Sequence, residues 1–394
     1  MDNHNLVSFD DTSAAFSSRP DRELKKMNFL FTIMGMGKLT KIGSYFVKSA
    51  LKWKLPVKKV IKTTLFNHFC GGENLDECKN AIDKLSFSGI KTILDYAVEG
   101  ESSMAAYDHT MDVLRRSIDL AASDKNIPFV VFKMTALCRL SILEKTQSGI
   151  ELNFTEKEEF SHFNQMVEKI AAYASDAGVR IMVDAEESWI QDTIDAVTLK
   201  LMNHYNKNNA LIYRTFQMYR VDMPYLLRDA LKSSKESGYK LGIKLVRGAY
   251  MEKERKRASD LGYPSPIFPT KEETDQAFNE ALEFCLNNLN YISIVSGSHN
   301  EHSNLLQTKI MSSMKLNNND DRVYFAQLYG MGDHISFNLS RKSFNVGKYL
   351  PFGPLEAVMP YLLRRAEENK SIKGQSGREL SLIRKEIERR KIQP

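Results

Sequence analysis

The chain has 394 residues, 42% of them apolar, and a formal net charge of +6. Modest glycine and proline contents exclude collagen-like and low-complexity classes. Cys70, Cys78, Cys138 and Cys285 form no CxxC pair, which argues against a disulfide framework and for a reducing compartment. No apolar run reaches the ~18 residues that span a bilayer, and the mild basic excess permits an acidic partner without requiring one.

In chain order, residues 1–20 are polar and expected to be loose. Asp2, Asp10 and Asp11 fit neither a secretory signal nor an acid-poor transit peptide. A cytoplasmic protein is expected, or one of the mitochondrial matrix if the source is eukaryotic. Residues 38–62 carry eight lysines and no acid, interleaved with Tyr45, Phe46, Val47, Leu51 and Trp53 and interrupted by Pro56. Two short helices are expected, either covering the domain or lying peripherally on an anionic membrane.

From residue 90, short β-branched runs alternate with helical periods. Strands are expected at Lys91–Ala97, Pro128–Leu137, Arg180–Ala185, Ala210–Met218, Lys240–Val246, Tyr291–Ser296, Val323–Leu328 and Val346–Leu350. Helices are expected between them, with a last one after Pro354 and a charged helical tail over Gly377–Lys391. This rhythm predicts an α/β chain: a distorted (βα)8 TIM-type barrel with extra N-terminal helices and a charged C-terminal helical tail. The expected division is 1–88 N-terminal helical segment, 89–370 barrel and 371–394 tail. An open doubly wound sheet is disfavoured, because no GxGxxG follows the first strand.

Barrel active sites lie at the C-terminal strand ends. Polar residues collect there: Asp95 and Glu99; Lys133; Asp184 and Glu186; Gln217; Lys244, Arg247 and Tyr250; His299; Gln327; Lys348 and Tyr349. Charges within strands are expensive unless paired or solvated, so a polar cavity at the mouth is expected. On the last helix, Tyr361, Arg364, Arg365 and Glu368 share one face by i, i+3, i+4, i+7 spacing, while Leu355, Val358, Met359 and Leu362 supply an apolar one. Paired guanidiniums suit a carboxylate. No metal is expected, since His299 and His302 lack a third ligand. Lys133 or Lys244 could equally form a Schiff base, so a lysine-dependent barrel aldolase or lyase stays open on residue chemistry. A basic nucleic-acid or membrane-surface binding protein is the non-enzymatic alternative; it leaves the strand-end residues unexplained.

Seven ordered segments carry a resemblance: Lys133–Leu137, Asp184–Glu186, Gln217–Tyr219, Lys244–Tyr250, Gln327–Asp333, Lys348–Pro354 and Pro360–Arg365 running to Glu368-Asn369. In this order they resemble the proline dehydrogenase family over roughly residues 60–370. Phe9–Thr12 with Ala15-Phe16 resembles its monofunctional, mitochondrial-type branch. The resemblance implies FAD at the barrel mouth and oxidation of L-proline to pyrroline-5-carboxylate, with electrons passed to a membrane quinone. It implies that Arg364, Arg365 and Lys133 hold the proline carboxylate, and that Tyr349, Tyr361, Leu328 and Tyr250 wall the ring. Asp184 and Glu99 would orient the cations. Gln217, Lys244, Val246, Arg247, Gly248, His299 and Glu368 would contact the flavin. It further implies a separate partner enzyme that oxidises the product, and no nucleic acid. The bifunctional bacterial branch carries Arg then Lys in the fifth-strand motif, where this chain has Lys244 then Arg247. Hydroxyproline-oxidising relatives carry a smaller residue where this chain has Tyr349, which favours proline as substrate.

Overall fold

The structure, a computed structural model, describes residues 7–35, 59, 61–371 and 375–392, with the backbone alone for 34–35, 366–371 and 375–376. Eight strands close into a barrel in sequence order, every neighbouring pair parallel. Before the barrel come α1 (Thr12–Ala15), α2 (Asp21–Gly35), a π-helical turn at Lys62–Phe66 running on through Phe69, and α3 (Leu75–Phe87). The barrel then runs β1 (Lys91–Tyr96), α4 (Met104–Ser123), β2 (Phe129–Phe132), α5 (Leu140–Gln147), α6 (Phe154–Asp176), β3 (Arg180–Val183), α7 (Ser188–Tyr205) and β4 (Ile212–Gln217). It continues through α8 (Met223–Ser237), β5 (Leu241–Val246), α9 (Met251–Leu261), α10 (Lys271–Leu286), β6 (Ile292–Gly297), α11 (Glu301–Ser313), β7 (Val323–Leu328), α12 (Asp333–Arg341) and β8 (Val346–Phe352). α13 (Met359–Ser371) and α14 (Gln375–Ile392) end the chain as described.

Strand alternation sorts the side chains into two layers. Ile93, Phe129, Val131, Met182, Tyr213, Val295, Tyr324, Ala326 and Tyr349 point inward and fill the barrel as one buried cluster. Phe129 meets the rings of Tyr213 and Tyr324 edge to face at 5.2 and 5.0 Å. The alternate residues, among them Leu94, Val130, Ile181, Ile212, Ile294, Phe325 and Val346, pack outward beneath the helices. Helix ends follow local chemistry. Asn153 with Glu156, and Thr270 with Glu273, form reciprocal capping boxes. α8 stops at Gly238, whose φ of +65° a side chain resists.

Three expectations need correction. The second strand ends at Phe132 rather than Leu137; Lys133 caps a 3-10 turn over Met134–Ala136 and turns the chain toward the mouth. The expected loose N-terminus is packed from Val7 onward: Phe9, Ala15 and Phe16 are buried. Leu24, Met27 and Phe31 of α2 form one cluster with Phe16 and with Leu382 and Ile383 of α14, so the two termini supply each other's apolar partners. α5 and α9, short or poor in apolar residues, were not anticipated, whereas α3, with Leu75, Cys78, Ala81, Ile82 and Leu85 on one buried stripe, falls within the expected N-terminal helical segment. The lysine-rich stretch 38–62 lies almost wholly outside the described residues.

Candidate active site

The inward layer continues past the apolar plug into polar groups. Counting by twos from Ile93, Val131, Met182, Tyr213 and Gly242 reaches Asp95, Lys133, Asp184, Gln217, and Lys244 with Val246. On the far side Leu328 and Tyr349 continue the same layer. Asp184 is the hub. Its carboxylate receives Lys133 Nζ at 2.6 Å, Lys244 Nζ at 2.5 Å and the Tyr349 hydroxyl at 2.7 Å. Burial works against its charge, but the two ammoniums hold it well below the usual carboxylate range. Reciprocally, Lys133 is desolvated, yet Asp184 and Asp95 raise it well above an ordinary lysine. Lys244 Nζ also lies 4.3 Å from the centre of the Tyr349 ring.

Helix α13 covers this mouth. Leu355, Val358, Met359, Tyr361 and Leu362 are buried with Phe66, Phe69 and Met331, which fixes the helix against the barrel. Arg364 gives two bonds to Glu99, at 2.7 and 3.2 Å. Glu99 is desolvated, but this guanidinium keeps its carboxylate lowered. The Arg364 guanidinium lies 5.5 Å from the Tyr250 ring, and Arg365 lies 5.1 Å from the Tyr361 ring. Burial pushes Tyr250 well above an ordinary phenol, so it stays neutral. The side chain of Glu368 lies outside the described residues.

The remaining candidates sit around the rim. Gln217 is buried and donates to the Glu186 carbonyl at 2.7 Å; Val246 pairs with it across the β4–β5 ladder. Arg247 is one step off the inward parity. Its guanidinium reaches Asp275 at 2.5 Å and Ser298 and Ser303 at 2.9 Å, beside the N-terminus of α11. Gly248 has φ +134°, and a Cβ there would lie 2.5 Å from the Tyr219 ring; the ring and the backbone angle require glycine. His299 Nε2 accepts from the Leu328 amide at 3.2 Å. Burial lowers His299 to about 3, so the ring is neutral and its proton belongs on Nδ1.

Three strand-end residues face elsewhere. Lys348 precedes inward Tyr349 and therefore points outward, 2.9 Å from Asp333 and 2.5 Å from the Met331 carbonyl. Arg19 binds the same Asp333 at 3.0 Å. Gln327 also points outward, to Ser298, Asn304 and Ser336. Glu186 accepts from the Thr135 amide and hydroxyl, tying the β3 exit to the β2 exit. Among the described residues no cluster could hold a metal ion.

Sequence reading missed Glu379 of α14, which belongs to no motif. It is buried and accepts from the Gly332 amide at 3.0 Å, in the turn that follows Leu328. Burial raises its carboxyl to about 7. The unfolded chain loses this proton near the ordinary glutamate value of ~4.3, so the group's stability is full below that pH and is lost as pH rises through about 7. Glu379→Gln keeps the acceptor without the charge. It should match the parent near pH 4 and exceed it near pH 8 by about 3–4 kcal/mol in denaturant melts. Equal midpoints at both pH values would refute this.

Comparisons with known proteins bear on the family and the fold. The sequence model described as proline dehydrogenase matches residues 78–378. Proline dehydrogenase 1, mitochondrial, of Dictyostelium discoideum is 34% identical over 96% of this chain and 74% of its own length. The hydroxyproline dehydrogenase of Xenopus laevis is 31% identical over 84% of this chain and 78% of its own. Proline utilization A of Bdellovibrio bacteriovorus, solved after inactivation by N-propargylglycine, superposes with TM-score 0.72 at 20% identity, covering 91% of this chain but 38% of that one. That last likeness concerns the fold. An α/β-barrel enzyme with a cationic mouth is thus defined. The chain belongs to the proline dehydrogenase family.

Proposed function

We propose that the chain oxidises L-proline to pyrroline-5-carboxylate with FAD bound at the barrel mouth. Electrons then pass to a membrane quinone, and a separate dehydrogenase consumes the product. The observation that carries this reading is the convergence of Lys133, Lys244, Arg364 and neutral Tyr250 and Tyr349 on one mouth roofed by α13. The donor set fits the cofactor. Cations suit its diphosphate, and Arg247 lies beside a helix N-terminus, where anions are favoured. Inward Gln217 and Val246 with neutral His299 would line the isoalloxazine. When bound, the flavin supplies the two-electron acceptor that no side chain provides.

The protein's own part is binding and orientation. Arg364, Arg365 and Lys133 would take the substrate carboxylate by charge-assisted bonds. Glu99 and Asp184 hold Arg364 and Lys133 in position before substrate arrives. Tyr250, Tyr349, Tyr361 and Leu328 would wall the ring and exclude water. The cationic surroundings favour the substrate's neutral amine over its ammonium by like-charge repulsion. Among the described residues no helix is long and apolar enough to cross a membrane. Exposed Phe29 and Ile33 on α2, just before the lysine-rich stretch, support a peripheral contact instead.

The test is an absorbance spectrum before and after anaerobic L-proline. Bleaching of a flavin spectrum supports the reading; a yellow protein indifferent to proline removes the substrate. A colourless protein that cannot take up FAD removes the cofactor. Tyr349 is buried and pinned through Asp184, so it has no freedom to clear a ring hydroxyl. Tyr349→Ser should therefore shift the kcat/KM ratio toward hydroxyproline by about tenfold or more, and an unchanged ratio would assign the selectivity to another wall.

A further inference from the structure

Helix α9 begins at the Tyr250 wall of the mouth, yet it has almost no apolar grip on the barrel. Of its 11 residues only Glu254 and Ala258 are buried. One alanine offers little apolar area to hold a helix in place, so polar contacts set the position of α9. Glu254 is the centre of them, and it is 0% exposed. One carboxyl oxygen accepts from the Ser188 amide at 2.7 Å, the other from the Ser188 hydroxyl at 2.6 Å. Ser188 opens α7, and Glu187 before it makes no side-chain cap. The cap that α7 lacks locally is therefore supplied by α9, from 66 residues further along the chain.

Both ends of this contact lead to the mouth. On one side the Glu254 amide donates to the Tyr250 carbonyl at 2.9 Å, closing the first turn of α9. Tyr250 is the N-cap residue of that helix, and no side chain caps this end. The bend at Gly248 separates Tyr250 from β5, so the helix behind Tyr250 has to place it. On the other side Ser188 follows closely on Asp184, whose carboxylate gathers Lys133, Lys244 and Tyr349. Two further contacts join the same elements: Lys253 reaches Glu187 at 2.5 Å, and the Arg257 guanidinium lies 4.5 Å from the Trp189 ring. The side chains of Lys253 and Arg257 are 56% and 32% exposed, so water screens their charges. Glu254 is shut away from water.

We propose that Glu254 is a positioning residue of the proline site: by docking on Ser188 it fixes Tyr250 relative to the Asp184 cluster and so sets the width of the ring pocket. The inference rests on the proline reading given above, which makes Tyr250 a wall of that pocket. Glu254 acts through Tyr250 and takes no part in the chemistry. The reach of its side chain matters, rather than its charge. A carboxyl drawn back by one methylene falls short of Ser188 by roughly 1 Å, and a wall displaced on that scale loosens its hold on the ring.

The test is steady-state proline oxidation by the FAD-loaded enzyme, with a soluble dye as electron acceptor. Glu254→Gln keeps the reach: its carbonyl oxygen can accept from the Ser188 amide, and its amide nitrogen can donate to the Ser188 hydroxyl oxygen. KM for proline should stay within about threefold of the parent. Glu254→Asp keeps the carboxyl but loses the reach. It should raise KM about tenfold, with kcat changed by less than about threefold. The reverse order, Asp near the parent and Gln impaired, overturns the proposal. The decisive comparison repeats Glu254→Asp in Tyr250→Ala. With the wall gone, the second change should move KM by less than about twofold, because residues that act through one another are not additive. An equal rise in both backgrounds would make Glu254 a general brace and overturn its action through Tyr250. If Glu254→Asp does not fold, Ser188→Ala removes the hydroxyl bond and keeps the amide one. It should raise KM about threefold in the parent and leave Tyr250→Ala unchanged; no rise, or equal rises, overturns the proposal. A parent flavin that proline fails to bleach would sink the proline reading itself. A parent that oxidises proline, with additive KM effects, would sink only the role of Glu254.

Discussion

Asp184→Ala should lose about 3–5 kcal/mol of folding stability, because it removes one carboxylate from two buried ammoniums at once. The side chains of Lys133, Lys244 and Asp184 are 8%, 10% and 12% exposed, so water replaces little of the lost pairing. The Tyr349 hydroxyl loses its acceptor in the same change. Total stabilities of single domains are ~5–15 kcal/mol, so the variant should unfold at markedly lower denaturant, and its proline-dependent flavin reduction should fall with it. The pH dependence has the opposite sign to that of Glu379. Asp184 is lowered in the folded state, so its contribution is present above the unfolded value of ~3.9 and is lost only as pH falls well below it. A variant melting with the parent would mean that the lysines are paired elsewhere and that Asp184 is no hub.

Arg364→Ala should lower kcat/KM for proline by about 10²–10³, mainly through KM. A bidentate guanidinium–carboxylate contact contributes on the order of 3–4 kcal/mol when each charge-assisted bond gives ~1.5–3 and the two are not fully additive. The variant also leaves Glu99, with its side chain 16% exposed, facing the substrate carboxylate without its cation, which adds repulsion. Arg364→Lys should recover only part of the loss, because an ammonium cannot make the planar two-point contact. Stability should change much less than in Asp184→Ala, since Arg364 is half-buried at the rim and Glu99 is reachable by water. If KM for proline were unchanged, the carboxylate would bind elsewhere, and Arg364 would be a strut for Glu99 and Tyr250.

Much of this site was readable along the chain because a barrel translates period-two alternation into direction. Once Tyr349 points inward, Lys348 must point outward, and the same parity sends Arg247 toward α11 and Gln327 toward α12. Listing strand-end polar residues without that count joined two sets that the barrel wall separates. The face of α13 was equally legible, because helical spacing alone groups Tyr361, Arg364 and Arg365 on one side, with Tyr361 buried among the neighbouring apolar residues.

The eight strands, their parallel order and the helix between each pair followed from alternating β-branched runs and helical periods, since each strand's pattern is local. Tertiary structure decided whatever depends on residues far apart in sequence meeting in a low-dielectric interior. Asp10 and Asp11, expected in a loose tail, bind Arg378 and Arg341. Arg19 crosses to Asp333, and Glu379 returns from the last helix to the Gly332 amide. No motif marks these pairs, because a lone charge in a helix or loop reads as solvated until a partner buries it. The raised carboxyl of Asp95 belongs to the same class: burial is opposed by Lys133 and Lys244 and reinforced by Asp184, and no stretch of sequence contains these groups together.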